Sequence, residues 1–451
     1  MEIRKSEAKP APRSGGVPVL GILPQLWQDP LGIFLRAGTE HPHIVRLDLG
    51  PAPAYLVSHP DGVKYVLQDN NRNFVKGYDK AKPVLGEGLV SSEGELWRRQ
   101  RRLMQPAFHK KRLAELLPLM VETTREMLVK WQKVAGTGQP IDIAREMMLL
   151  TQTIIVKTMF STDVGDKAEE IAGAFAATLE YLNMILLSPF PLITSLPIPV
   201  NRRFRRAMDL IDSTVYGIIQ QRRETGVQRN DLVQMLMDAR DEETGEGMSE
   251  QQMHDELLTI FLAGHETTAA LLSWTFYLLA QHSQAEEQVR EELARALSGR
   301  TPEFDDLSEL TYTGEVLHES LRLYPPAWMF ARQSLEEDEV GGCRIPARAT
   351  IFLSPYVTHR LPQIWEQPDQ FIPERFTPEA SRERPRYAFF PFGGGPRLCI
   401  GNNFALMEAP TILSMVLQSF RLKLASDRPV KVRPVATLRP HQGLFMHLER
   451  C

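Results

Sequence analysis

The chain has 451 residues, 43% of them hydrophobic and 24% charged, an ordinary balance for a globular protein with a large core. A net charge of −4 gives no electrostatic reason to expect nucleic acid as a partner. The three cysteines, Cys343, Cys399 and Cys451, are too few and too scattered for a disulfide framework or a Cys-x-x-Cys zinc site, which fits a reducing, cytoplasmic setting. Residues 1–25 read as a flexible Pro/Gly-rich segment. Met1 to Val17 holds no apolar run, so neither a signal peptide nor a membrane anchor is expected there.

Short strands follow at Ile44–Leu49 and Ala54–Val57, each bounded by His, Pro or Gly. Helical patterns dominate from about Glu93 to Tyr324, and strand signals return near Val340–Leu353 and after Phe420. A helix-rich middle with small sheets at both ends is a mostly α, α+β layout. No linker, repeat or low-complexity tract divides residues 26–451, which read as one domain. Ser249-x-x-Gln252 is a capping box opening a central helix that runs to about His282. At 1.5 Å per residue it is ~50 Å long. Leu257–Ala263 and Ala269–Ala280 are nearly all apolar, so this helix is buried on most sides. Gly264-His265-Glu266-Thr267-Thr268 interrupts it and argues against a membrane span, because ionisable groups at a bilayer centre are costly.

The chemistry centres on Phe392-Gly393-Gly394-Gly395-Pro396-Arg397-Leu398-Cys399-Ile400-Gly401, a glycine-rich loop ahead of an apolar helical pattern at Asn403–Phe420. Gly395 and Gly401 let a flat ligand come close to the main chain. Cys399, at a helix mouth, sees unpaired N–H groups that lower a thiol's pKa, and a thiolate is a soft ligand suited to haem iron. A lone cysteine is more often a buried structural residue; the whole decapeptide is not. It resembles the haem-binding signature of the cytochromes P450, Phe-x-x-Gly-x-Arg-x-Cys-x-Gly, at every fixed position.

The resemblance implies the P450 fold, with haem b (iron protoporphyrin IX) between the central helix and the cysteine loop and Cys399 as axial iron ligand. Ala263, Gly264, Glu266 and Thr267 are similar to the family's oxygen-binding groove. By that likeness Thr267 manages oxygen and water while Glu266 relays protons. Gly264 leaves room for a small molecule. His265-Glu266 also invites the zinc motif His-Glu-x-x-His, which fails because position 269 is Ala269. Glu319 and Arg322 share a helix face ahead of Pro325-Pro326, a spacing that alone suggests a surface ion pair. With Phe371-Ile372-Pro373-Glu374-Arg375-Phe376 they resemble the family's structural triad, Glu319, Arg322 and Arg375. Trp97 and Arg101 match the family's Trp-x-x-x-Arg and would hold a haem propionate. Arg397, Arg332 and the weaker His359 are further propionate candidates, and Phe392 belongs to the cofactor loop.

Arg98, Arg99, Arg101, Arg102, Lys110, Lys111 and Arg112 form a basic run, usually just a solvated face. In the family this helix leads from the proximal haem face, so a separate ferredoxin- or flavodoxin-type donor could dock there. About fifty residues remain after Cys399, which leaves no space for a built-in electron-transfer module. Val84, Leu85, Leu89, Leu182, Met184, Phe261, Ala263, Ala327, Trp328, Met329 and Leu444 fall where the family lines its substrate pocket. Leu186–Ile193 reads as a Pro-broken apolar loop, a candidate for peripheral membrane contact or lipid admission.

The expected reaction is hydroxylation of a lipophilic molecule with O2 and two electrons. The stretches Leu321–Trp328 and Leu353–Thr358 resemble bacterial carotenoid hydroxylases, and Phe261–Leu272 resembles fatty-acid hydroxylases. A fatty acid would use Lys76, Tyr78 or Lys80 at the channel mouth. A non-enzymatic haem sensor or apolar-ligand carrier is the alternative of another class; it would need no Glu266-Thr267 pair.

Overall fold

The computed structural model describes residues 8–17, 20–49, 53–161, 168–187 and 198–451. The helices that carry the argument are α1 (Gly94–Met104), α2 (Ile143–Phe160), α3 (Ala168–Leu187), α4 (Pro199–Thr225), α5 (Leu232–Asp238), α6 (Glu250–Gln281), α7 (Thr311–Leu323) and α8 (Asn402–Ser419). The strands are β1 (Ile44–Asp48), β2 (Pro53–Val57), β3 (Phe74–Val75), β4 (Phe330–Ser334), β5 (Thr350–Leu353), β6 (Val432–Pro434) and β7 (Leu438–Pro440). This is the helix-rich α+β architecture expected from the pattern.

The chain forms two compact units, residues 1–77 with 315–399 and residues 78–314 with 400–451. The first is built on a sheet in the order β1-β2-β5-β4-β3. Its pairs are antiparallel except β2 with β5, which run parallel with Val57 beside Leu353. Val57, Val63, Phe74, Ile351 and Leu353 are fully buried over one core. The stretch read as a flexible tail pairs in part: Lys9 bridges to Cys343 and Arg13 to Arg46.

The second unit is organised around α6. Ser249 Oγ accepts from the Gln252 N–H at 3.1 Å, the expected cap. α6 lies close against α2: a Cβ at Gly264 would come within 3.2 Å of Ile155 Cδ1. The side chain missing at Gly264 therefore leaves room for a neighbouring helix, a packing role that the sequence reading assigned to a small ligand. Pro410 sits inside α8, which continues through it. Leu186 and Leu187 finish α3, so the apolar run at 186–193 begins in a helix and not in a loop; residues 188–193 lie outside the described residues. No described helix is long and apolar enough to cross a membrane.

One cluster ties three parts of this unit. His254 of α6 lies between Asp212 of α4 (2.7 Å) and Asp255 (3.2 Å) and stacks on Tyr216. Asp255 also accepts from Gln251 and from the Glu87 N–H at 2.9 Å. Burial disfavours the imidazolium, yet the two carboxylates outweigh it and hold His254 above its ordinary value. Burial likewise opposes ionised Asp255, but His254 and the N–H donors hold it below its usual range. A raised histidine adds stability that is full below its unfolded value, ~6.5, and fades as pH rises through the folded one. A depressed carboxyl adds stability above ~3.9 that is lost at lower pH. The melting-temperature deficit of His254→Gln should therefore be greatest at about pH 5–6.5 and shrink towards alkaline pH. A deficit independent of pH from mildly acid to alkaline buffer would remove the charge from this account.

Candidate active site

Cys399 is exposed, at the end of a loop held rigid by its own backbone. Its N–H donates to Phe392 O at 3.0 Å, closing the loop. Gly395 has φ +63°, and a Cβ there would sit 1.9 Å from Leu67 O, so the close approach requires glycine. Its N–H donates to the Tyr387 hydroxyl at 2.9 Å, which donates to Gln68 at 3.0 Å. Arg397 donates to Asn71 O and Phe74 O, fastening the loop to the turn before β3. A thiol presented this way, three residues before α8, has the donor chemistry for a soft metal and a loop a flat ring can lie against.

The same unit contains the expected triad, with Glu319 and Arg322 fully buried and Arg375 half-buried. Arg322 forks onto Glu319 with two contacts of 2.7 Å. Its remaining N–H groups go to His359 O (2.9 Å), Pro368 O (2.6 Å) and Gln370 O (2.8 Å), so every donor of the guanidinium finds an acceptor. Glu319 also accepts from the Ile372 N–H at 2.9 Å and pairs with Arg375 at 3.5 Å. One ion pair thus holds residues 359–375, the segment ahead of the cysteine loop.

Two arginines beside it were missed. Arg384 lies over Trp365 and Phe376, and burial pulls its pKa down to about 10. Arg360 is buried over Tyr356, 3.9 Å from the ring. Aromatic stacking of this kind leaves no local sequence signature.

In the second unit, every residue of α6 from Met253 to Leu279 is buried except Ala263, Gly264 and Thr267. Spaced i, i+1 and i+4, these lie along one stripe of the helix. Around it three successive carbonyls accept from hydroxyls. Thr267 donates to Ala263 O (2.9 Å), Thr268 to Gly264 O (3.3 Å) and Thr151 of α2 to His265 O (2.9 Å). Hydroxyls that compete for carbonyls loosen the helix ladder locally. Glu266 is buried and reaches Thr437 and Arg439 of the β6–β7 hairpin. Glu408 of α8 is buried as well, and burial pushes its pKa up to about 8. Thr151, Glu408, Thr437 and Arg439 were not foreseen from sequence.

The other candidates are placed as follows. Trp97 and Arg101 are half-buried one turn apart on α1, as their spacing requires. Arg332 is buried on β4, with a guanidinium contact to Ala331 O. His359 is fully buried, and its Nε2 accepts from the Phe390 N–H at 3.0 Å. Burial, then the charges of Arg322 and Arg360, hold its pKa well below the ordinary value. His359 therefore sits in the structure as a neutral tie to the cysteine loop.

The basic run is largely neutralised within the protein. Arg102 pairs with Asp241 and Glu243, Arg99 with Glu246, Arg98 with Glu95 and Arg112 with Glu115. Lys110 and Lys111 remain exposed. Among the pocket candidates, Val84, Leu85, Leu89, Leu182, Phe261 and Leu444 are buried, and Phe261 stacks on Phe175 at 3.7 Å. Trp328 is buried against Phe34, as a core residue would be.

The exposed Cys399 on its glycine-rich loop fits the haem that the sequence resemblance implies. The cytochrome P450 family profile matches residues 10–446. Cyclooctatin synthase of Streptomyces melanosporofaciens is 37% identical, over 94% of this chain and 92% of its own length. Pentalenene oxygenase of Streptomyces avermitilis is 35% identical over 96% of both. The crystal structure of the cytochrome P450DA heme domain superposes with a TM-score of 0.89 at 27% identity, over 98% of each chain.

Glu319→Ala strands the buried Arg322 charge and should cost ~3–5 kcal/mol of stability, with haem content of the purified protein falling in parallel. Normal haem content with an unchanged denaturant midpoint would show that the pair does not hold the loop.

Proposed function

The chain belongs to the cytochrome P450 family and is a haem-thiolate monooxygenase; from that premise we propose that it hydroxylates an apolar isoprenoid, with Cys399, Thr267 and Glu266 in the roles their placement supports. Bound haem b supplies O2 activation, and the net reaction is R–H + O2 + 2 e⁻ + 2 H⁺ → R–OH + H2O. The observation that carries the reading is the uncovered stripe Ala263, Gly264 and Thr267 on an otherwise buried helix.

Cys399 anchors the cofactor, and the loop ties at Phe392, Tyr387 and Arg397 keep the sulfur in position. Thr267 Oγ1 rests on Ala263 O; turning outward, it can hold water and pass a proton at that atom. Glu266 holds an acid within the otherwise apolar helix. Trp97, Arg101, Arg332 and Arg397 are the groups that would meet haem carboxylates. Electrons come from a separate donor, for which Lys110 and Lys111 leave a smaller basic patch than the sequence suggests.

The pocket candidates that are buried are apolar, which supports a hydrocarbon substrate. Relatives named for cyclooctatin and pentalenene support a cyclic terpene over the carotenoid expected from sequence. A fatty acid would want an accessible cation; Lys76 is buried, and Lys80 is the exposed one.

Reduced protein with carbon monoxide should show the red-shifted Soret band of thiolate ligation, and Cys399→His should lose it; a histidine-type band in the wild type would end the haem-thiolate reading. Spectral titration then ranks the substrates: cyclic terpene hydrocarbons should shift the resting spectrum at lower concentration than β-carotene or palmitate. Tight palmitate binding that weakens in Lys76→Ala or Lys80→Ala would make this a fatty-acid hydroxylase instead. Thr267→Ala should keep haem but divert electrons to hydrogen peroxide, and unchanged coupling of NAD(P)H to product would remove Thr267 from its role.

A further inference from the structure

Glu266 sits at the centre of the stripe's polar break, yet its carboxylate turns towards the C-terminal hairpin. Every hydrogen bond it makes falls on one oxygen. Oε1 accepts from Thr437 Oγ1, from Arg439 Nε at 2.5 Å and from the Arg439 terminal nitrogen. Among the described residues no hydrogen bond reaches Oε2. The Glu266 side chain is 2% exposed and that of Arg439 31% exposed, so the ion pair spans from interior to solvent. Arg439 also donates to Thr437 Oγ1 at 3.2 Å, so the two residues act on the carboxylate as one unit. Strand β7 is anchored independently: Trp274 of α6 donates to Leu438 O at 3.0 Å.

We propose that Thr437 and Arg439 are positioning residues for Glu266, and that protons reach it from solvent along the β7 side of α6. The proposal deepens the reading of Glu266 as a proton relay and rests on it. With Oε1 clamped, Oε2 is the oxygen open to exchange. A hydronium proton from bulk solvent, passed along water at the exposed end of Arg439, adds to Oε2 and weakens the ion pair by neutralising the carboxylate. Oε2 then releases that proton inward towards Thr267 and the ion pair regains full strength, so the net change is one solvent proton moved inward. No electrons move and no bond other than O–H is made or broken. Among the described residues, His265 and Glu408 are titratable groups near this stretch. His265 is buried and held below its ordinary value by that burial, so it adds no competing charge. Glu408 of α8 faces Thr268, one residue past Thr267, and stays protonated into mildly alkaline solution.

Removing Arg439 leaves a buried carboxylate without its counter-charge, and such a group takes up a proton. Infrared spectra of the resting ferric protein at neutral pH read this without turnover. Arg439→Ala should show a new protonated-carboxyl band that disappears in Arg439→Ala/Glu266→Gln. Wild type and Arg439→Lys should both lack it. In turnover, Arg439→Ala should lose coupling several-fold with a changed pH profile and solvent isotope effect, and Arg439→Lys should restore most of it. Thr437→Val, which keeps the ion pair, should shift coupling the same way by a smaller factor and covers the case in which Arg439→Ala does not fold. No new band, or a wild-type pH profile in Arg439→Ala or Thr437→Val, overturns the proposal. Full coupling in Glu266→Gln would sink the relay reading by itself, while the resting-state infrared result would still decide whether Arg439 positions the acid.

Discussion

The fork between Glu319 and Arg322 is the interaction on which the cysteine loop depends. Both side chains are fully buried, and desolvating two charges costs more than a lone ion pair returns in many proteins. Here the cost is offset because the pair is also the hydrogen-bond hub for carbonyls at 359, 368 and 370 and for the N–H at 372. These backbone groups belong to irregular chain with no sheet or helix partner of their own. An apolar replacement of equal volume would leave them unsatisfied, so the ion pair specifies a conformation that burial of hydrocarbon alone would not. A thiolate ligand needs a fixed sulfur, and a fixed sulfur needs the preceding chain fixed.

The second unit answers the same difficulty differently. Apart from the stripe at 263, 264 and 267, α6 is buried from Met253 to Leu279, so a polar residue there must find a partner. Its threonines turn back on carbonyls one turn earlier, and Thr151 arrives from α2 to complete the set. His254 and Asp255 near its start recruit Asp212 and the Glu87 N–H. Glu266 recruits the β6–β7 hairpin. Each polar intrusion thereby becomes a tether on the helix that carries the stripe.

Local chemistry was legible in sequence wherever the partners lie within a turn or a loop. Ser249 with Gln252, Glu319 with Arg322 and the glycines before Cys399 all act over a few residues, so spacing alone predicts the geometry. The triad's third member, Arg375, came only through a family likeness, because nothing in the spacing from Glu319 implies contact. Thr437, Arg439 and Glu408 were invisible for the same reason: the first two are 171 and 173 residues from the acid they hold. The basic run on α1 was misjudged in kind. A count of arginines cannot see that Asp241, Glu243 and Glu246 fold back to pair with them.

That neutralisation bears on function as much as on fold. An arginine already paired with two carboxylates has little field left beyond ~10 Å at physiological salt, so it steers a partner weakly. What attraction remains comes from charges with no such pairing, Lys110 and Lys111, on a short helix beyond α1. The internal pairs meanwhile hold α1, with Trp97 and Arg101, to the 241–246 turn. Charge that looked in sequence like an invitation to a partner is spent largely on pairing within the protein.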